Sequence, residues 1–121
     1  MLKEATINAL NSLVDNYNEA IAPELKEKVK YVVMEYDPAY FETVIAKAEP
    51  ESTREFKMAA RQLRIMSKRL DFTIVPVIID GIATIHVIVT HEPKDIEETI
   101  ERMKIGLNVI VPRFLKEHEI G

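Results

Sequence analysis

Residues 72–90, FTIVPVIIDGIATIHVIVT, consist of two apolar runs separated by the dipeptide Asp80-Gly81. An Asp-Gly pair in this position favours a two-residue hairpin turn of type I′, which needs positive φ at both turn residues. The turn fixes the register of the two strands and makes Ile79 the partner of Ile82. It also places Pro76 at a non-hydrogen-bonded position, so the outer edge of the first strand is predicted to be unpaired or bulged there.

Successive side chains along each strand point to opposite sides of the hairpin, which therefore has two faces. Both faces are too apolar to remain in water. The first face is wholly apolar and is predicted to pack on helices: Phe72, Ile74, Pro76, Ile78, Ala83, Ile85, Val87 and Val89. The second face includes Thr73, Thr84 and His86. Its apolar members form a predicted homodimer face: Val75, Val77, Ile79, Ile82 and Ile88. The alternative is a monomer in which the N-terminal helix covers this second face.

Three segments outside the hairpin have helical periodicity. Residues 3–21 form an amphipathic pattern, and a second helix is predicted from Ser52, where Ser52 and Glu55 have the spacing of a capping box, to about residue 70. A third helix is predicted after Pro93, with Pro112 producing a kink or break near residues 108–112. Gly106, which has no side chain, reduces the bulk of the buried side of this closing helix. We take this as a second reason to expect a dimer.

Residues 29–48 fit two interpretations. As strands, residues 29–36 and 41–48 are rich in β-branched and aromatic side chains and flank a turn with Pro38 at its second position. As helices, the same residues place Asp37 as an N-cap before proline at the first helical position. We favour two strands, because an isolated two-stranded hairpin is marginally stable in water.

The composition bounds the class of protein. The 121 residues, 47% of them hydrophobic, fit a single domain over residues 1–121. No apolar run reaches the roughly 20 residues of a membrane span, so we expect a cytoplasmic protein with no membrane partner. The absence of cysteine excludes disulfides and thiolate chemistry, and a single Gln beside abundant Glu, Lys and Ile is typical of a thermophile.

The charge is unevenly distributed. The net charge is −4, yet residues 54–69 carry six basic residues and one acidic residue. Steps of three and four residues place five of the cations on one side of the predicted helix: Arg54, Lys57, Arg61, Arg64 and Lys68. This basic stripe pairs with the chain's own acidic helices, or it binds an acidic polypeptide or a nucleic acid.

No catalytic, metal or cofactor site is predicted. His86, His91 and His118 lack the spacing of a metal site, and the three glycines do not form a phosphate-binding loop. The serines have no neighbouring base that would activate a nucleophile. The protein is therefore expected not to be an enzyme.

The second half of the chain resembles the type III secretion chaperone-like and YbjN-like superfamily. The resemblance is carried over residues 56–117 by the helix FKMAARQLRIMSKRL, by the hairpin, and by HEPKDIEETIERMKIGLNVIVPRFLKE, a long helix that ends near a proline. Family members usually have a third strand before the middle helix, for which this chain lacks room. The resemblance implies a homodimer that binds other polypeptides and has no catalytic residues. A roadblock-like or profilin-like arrangement has a similar element order and also implies a dimeric interaction module.

The expected fold is therefore α+β, with a mainly antiparallel sheet and the order α-β-β-α-β-β-α. The alternative is an α-helical N-terminal half with one β-hairpin and a C-terminal helix. The expected function is a chaperone-like or adaptor-like polypeptide-binding module acting as a homodimer, and the alternative is a nucleic-acid-binding protein that uses the basic helix at residues 52–70.

Overall fold

The fold was analysed in a computed structural model, which describes residues 2–121 apart from the side chains of residues 51 and 52. Helices flank a three-stranded sheet, and the α+β class is confirmed. The elements, in chain order, are α1 (Glu4–Glu19), a 3₁₀ turn (Pro23–Leu25), β1 (Val29–Glu35), α2 (Pro38–Lys47), α3 (Pro50–Met66), β2 (Phe72–Ile79), β3 (Ile82–Val89) and α4 (Ile96–Glu117).

The hairpin forms as predicted. Strands β2 and β3 pair antiparallel with Ile79 opposite Ile82 and Pro76 opposite Ile85. Asp80 and Gly81 have φ values of 52° and 78°, which are the positive angles that a type I′ turn requires.

The sheet is mixed, whereas a mainly antiparallel sheet was predicted. Its strand order is β1-β3-β2, and β1 pairs parallel to β3 with Val29 opposite Ala83 and Glu35 opposite Val89. Strand β3 is therefore central, and every residue from Ala83 to Val89 is buried. One additional strand is enough to stabilise the hairpin, because it gives the sheet three strands with two faces to pack on.

The prediction of two strands in residues 29–48 was right for the first segment and wrong for the second. Residues 38–47 form α2, because the Asp37 side chain accepts a hydrogen bond from the Ala39 N–H and Pro38 occupies the first turn. Phe41 and Val44, one helical turn apart, are buried. The observed order is thus α-β-α-α-β-β-α, with a short 3₁₀ turn before β1.

The other helices lie close to their predicted positions. Helix α3 begins at Pro50, with Glu49 as its N-cap, rather than at Ser52. The predicted capping box involves the Ser52 side chain, which lies outside the described residues. Helix α4 starts after Asp95, whose side chain accepts from the Glu98 N–H, and continues through Pro112 to Glu117. Of the kink or break predicted near residues 108–112, a break does not occur.

Two hydrophobic cores lie on opposite faces of the sheet. On the first face, α1 and α4 pack over Ile85, Val87 and Val89, as predicted for this face of the hairpin. On the second face, α2 and α3 pack over the other side of the hairpin, where Phe41 and Phe56 meet Val77. The fold therefore has three layers, with the sheet in the middle.

Both edges of the sheet are partly blocked. At the β1 edge, the Asn18 side-chain amide donates to the Tyr31 carbonyl oxygen at 2.9 Å and accepts from the Tyr31 N–H at 2.7 Å. Strand β2 is the other edge, as the position of Pro76 predicted. Pro76 lacks an N–H, and the Ile78 carbonyl oxygen accepts from the Glu49 N–H. Further strand addition is therefore disfavoured at both edges.

The predicted dimer face is largely buried within a single chain. Val75, Val77 and Ile88 lie beneath α2 and α3, and Val77 has 0% of its surface exposed. Ile79 and Ile82 are half-buried and line a cleft of about 350 Å³ beside Tyr40. The helices that cover this face are α2 and α3, whereas the predicted monomer used the N-terminal helix. Self-association stays a prediction.

Gly106 is explained by packing inside the chain. A Cβ atom at this position would lie 2.7 Å from Cδ1 of Ile74. Gly106 therefore permits α4 to approach β2 closely, and it gives no support to a dimer interface.

Candidate functional site

The buried residues of α3 determine which of its residues face solvent. Phe56 and Leu63, two turns apart, are buried with 0% and 1% exposure against the second face of the sheet and α2. The Phe56 ring packs 5.2 Å from the Phe41 ring and 5.6 Å from the His86 ring, measured between centroids. Because these contacts fix the rotation of α3 about its axis, the residues on the opposite side point to solvent.

The basic stripe lies on this outer side, with its last member, Lys68, in the turn just after α3. All five of its members are exposed: Arg54, Lys57, Arg61, Arg64 and Lys68. None of them forms an ion pair with another described residue, whereas ion pairs do form at Asp71 with Arg102 and at Glu101 with Lys104. Within the described chain, the stripe is therefore not neutralised by the protein's own acidic helices.

Exposed apolar side chains lie among these cations. Ile65 is 74% exposed and Met58 is 57% exposed, and both lie on the outward side of α3. Met66, the last residue of α3, is 39% exposed. The sequence contained a signal for Met58 and Ile65, since they are seven residues apart and each lies three residues from a basic residue. Neither residue was part of the predicted site.

A recess of about 590 Å³ lies at the N-terminal end of the same surface. Arg54, Lys57 and Met58 contribute to it from α3, and Ala48, Pro50 and Thr53 complete its lining. The outer side of α3 thus offers cations, an apolar ridge and a depression on one continuous surface. We call this surface the α3 outer face.

The most buried polar site in the described chain lies under α3 and α2, at His86. The His86 ring is fully buried, with Nδ1 3.1 Å from the Val75 carbonyl oxygen and Nε2 3.1 Å from the Tyr40 hydroxyl. Since the carbonyl can only accept, Nδ1 carries the proton and the Tyr40 hydroxyl donates to Nε2. Burial lowers the pKa of His86, and the Lys30 charge lowers it further. Burial also raises the pKa of Tyr40, so both groups are neutral near pH 7.

A second polar cluster joins the loops at one end of the sheet. Asp71 accepts from Arg102 at 2.8 Å, and its other carboxylate oxygen lies 3.0 Å from His91 Nε2. The Arg102 hydrogen bond, with help from His91, lowers the pKa of Asp71. The neighbouring Thr90 hydroxyl donates to the Leu70 carbonyl oxygen. The hydroxyl proton is thus directed to a backbone acceptor and not to the imidazole, which is unlike an activated nucleophile.

The histidines are dispersed in space. His86 is buried in the sheet, His91 belongs to the Asp71 cluster, and the His118 ring stacks 4.3 Å from the Phe114 ring at the end of α4. Among the described residues, no group of three or more His, Asp or Glu side chains is arranged to hold a metal ion.

Comparison of this chain with protein-family models, with curated proteins and with solved structures found no match. The resemblance to the chaperone-like superfamily therefore stays a prediction, and the helix at residues 38–47 replaces one of the two strands that were expected before α3. No helix in the described part of the chain is long and apolar enough to cross a membrane.

Proposed function

We propose that the protein is a non-enzymatic binding module that recognises acidic polypeptides through the α3 outer face. The observation that carries the proposal is the exposure of five cations around Met58 and Ile65, without ion pairs to other described residues. Exposed arginines and lysines attract carboxylates, and the exposed apolar side chains gain free energy when a partner removes them from water.

Nucleic-acid binding is the second candidate, and the five exposed cations, which form no ion pair with other described residues, favour it as well. The apolar side chains distinguish the two functions. Phosphate groups make no use of Met58 and Ile65, whereas an acidic polypeptide can offer apolar side chains to both. We therefore place polypeptide binding first.

The test is a comparison of two labelled probes by fluorescence anisotropy at several salt concentrations. The probes are an acidic peptide composed of Glu and Leu and a 20-nucleotide single-stranded DNA. The double substitution Met58→Ser with Ile65→Ser is expected to weaken peptide binding about tenfold and to leave DNA binding unchanged. The double substitution Arg61→Glu with Arg64→Glu is expected to abolish both interactions.

The matched control for the charge reversal is Arg113→Glu with Lys116→Glu on α4, which has the same spacing and the same change of charge at exposed positions. It is expected to retain peptide binding. DNA binding that falls steeply with salt, without measurable peptide binding, would instead establish the second candidate. If neither probe binds at low salt, both functions are wrong.

A further inference from the structure

The outward residues of α3 form a heptad pattern. Met58 and Ile65 are seven residues apart and correspond to the a positions of a coiled-coil seam. The d positions of the same seam are all basic: Arg54, Arg61 and Lys68. At about 100° per residue, the four side chains that lie within α3 occupy an arc of roughly 60° on the helix, and Lys68 lies in the turn just after it. Together they form a narrow strip, which we call the α3 seam.

The α3 seam has the dimensions of a helix–helix contact. Within α3, from Arg54 to Met66, it extends about 18 Å at 1.5 Å per residue, which matches a partner helix of about two heptads. Met58 and Ile65 can each insert between side chains of such a helix. Lys57 and Arg64 lie at the flanking g positions and would add charge along one side of the contact.

The positive charge of the α3 seam disfavours pairing between the α3 helices of two copies of the protein. Two α3 helices placed side by side would bring Arg54, Arg61 and Lys68 of one chain against the same cations of the other. At the flanking e positions, Glu55 is a carboxylate, but Gln62 and Arg69 are not. Like charges across a helical seam are unfavourable, so the acidic side chains come from a helix other than α3.

We propose that the α3 seam binds an acidic amphipathic α-helix of another polypeptide. This inference rests on the proposed function and adds the conformation of the partner. The partner helix carries apolar residues seven apart to meet Met58 and Ile65, and carboxylates between them to meet Arg61 and its neighbours. Binding orders the partner into a helix, as in other complexes where an amphipathic helix adds to an apolar surface.

The test uses two synthetic peptides of 21 residues with identical composition. In the phased peptide, three heptads have Ile at each a position, Glu at each d and g position, and Ala or Gln elsewhere. In the dispersed peptide, the three Ile residues are moved to different sides of the helix. The phased peptide is expected to bind at least tenfold more tightly, with an increase in helical circular dichroism.

The substitutions identify the contact. Met58→Ser with Ile65→Ser is expected to remove the tenfold preference for the phased peptide. The matched control is Ile105→Ser with Val109→Ser, an apolar pair on α4 that is 66% and 53% exposed and is expected to leave the preference intact. Equal binding of the two peptides would overturn the helix seam and leave binding by charge. Failure of both peptides to bind at low salt would overturn the proposed function as well.

A cysteine variant tests the exclusion of a second copy. Because the sequence has no cysteine, Ile65→Cys introduces a single thiol in the α3 seam. Under mild oxidation this variant is expected to dimerise no faster than Ile105→Cys on α4. Rapid disulfide formation specific to Ile65→Cys would show that two α3 helices meet, and would contradict the acidic partner.

Discussion

His86 is a polar residue in the middle of an apolar sheet, and its environment makes stability dependent on pH. In the folded protein the ring is buried, donates from Nδ1 to Val75 and accepts at Nε2 from Tyr40. A protonated ring would lose the acceptor at Nε2 and would face the Lys30 charge. The folded state therefore holds His86 in its neutral form.

We expect the free energy of unfolding to decrease as the pH falls below about 6.5. The pKa of His86 is lowered in the folded state, so the unfolded chain binds a proton first on acidification. The contribution of His86 to the free energy of unfolding is complete above about pH 6.5. It is lost as the pH falls toward the lowered pKa, by up to about 1.4 kcal/mol per pH unit. Urea unfolding at pH 7.5 and at pH 5.5 measures the difference.

Substitutions of two histidines assign this pH dependence. His86→Gln is expected to be less stable at pH 7.5 but to lose most of the pH dependence between these two values. His91→Gln is the control, because His91 is exposed and its removal leaves the buried ring unchanged. A wild-type protein with equal stability at both pH values would show that the buried ring does not titrate differently on unfolding.

At the scale of elements, the close approach of α4 to β2 depends on Gly106. Glycine within a helix costs about 1 kcal/mol relative to alanine, but a Cβ here would lie 2.7 Å from Cδ1 of Ile74. We expect Gly106→Ala to stabilise the Ile74→Val variant by about 1 kcal/mol, because valine lacks this δ-carbon. In the wild-type background the same substitution is expected to give a smaller gain or a loss.

Chemical denaturation of the four proteins in this double-mutant cycle measures the coupling between the two positions. The difference between the backgrounds isolates the steric contact from helix propensity, since the propensity gain is common to both. An equal effect of Gly106→Ala in the two backgrounds would show that α4 and β2 adjust without cost.

The elements that the sequence predicts well are those whose signals are local. The Asp80-Gly81 turn sets the register of the hairpin, and the helical period sets α1 and α4. Residues 41–47 were predicted wrongly because phenylalanine, valine and isoleucine suit both strands and buried helices. Asp37 and Pro38 are a local signal for the start of a helix. The packing of Phe41 against Phe56 also stabilises this helix, but it forms only in the tertiary fold.

The candidate surface was predictable in part. Periodicity placed the five cations on one side of α3, and the structure leaves them exposed. Their lack of ion pairs with other described residues depends on where the acidic helices lie, which the sequence does not specify. The pairing of β1 with β3 was beyond prediction for a similar reason, because the two strands are far apart in the chain and no local turn connects them.

At the scale of the whole molecule, two helical layers enclose the sheet, and the second face has no contact with solvent at Val77. We expect Val77→Asp to unfold the protein, or to cost at least about 3 kcal/mol, because it buries a carboxylate without a partner. Ile65→Asp introduces the same group at an exposed site and is expected to cost less than about 1 kcal/mol. Thermal unfolding followed by circular dichroism compares the two variants.

Sedimentation of the same variants bears on the predicted dimer. If wild type is a dimer and Val77→Asp is a well-folded monomer, the second face would be the dimer face that the sequence predicted, and the enclosed arrangement would be wrong. A Val77→Asp protein that is unfolded while Ile65→Asp retains the wild-type mass is the result expected from the enclosed sheet.

The central position of β3 has a consequence for the order of events during synthesis. Strand β1 leaves the ribosome first, but its partner β3 follows only after roughly 45 further residues. At about 5 to 20 residues per second, this gap lasts roughly 2 to 9 s. The hairpin can then form quickly, yet its inner edge stays open until β1 docks. In the finished sheet, Pro76 and Asn18 protect the two outer edges. Before β1 pairs with β3, the free edge of β3 has no such protection, so this is the interval in which the nascent chain is most exposed to misassembly.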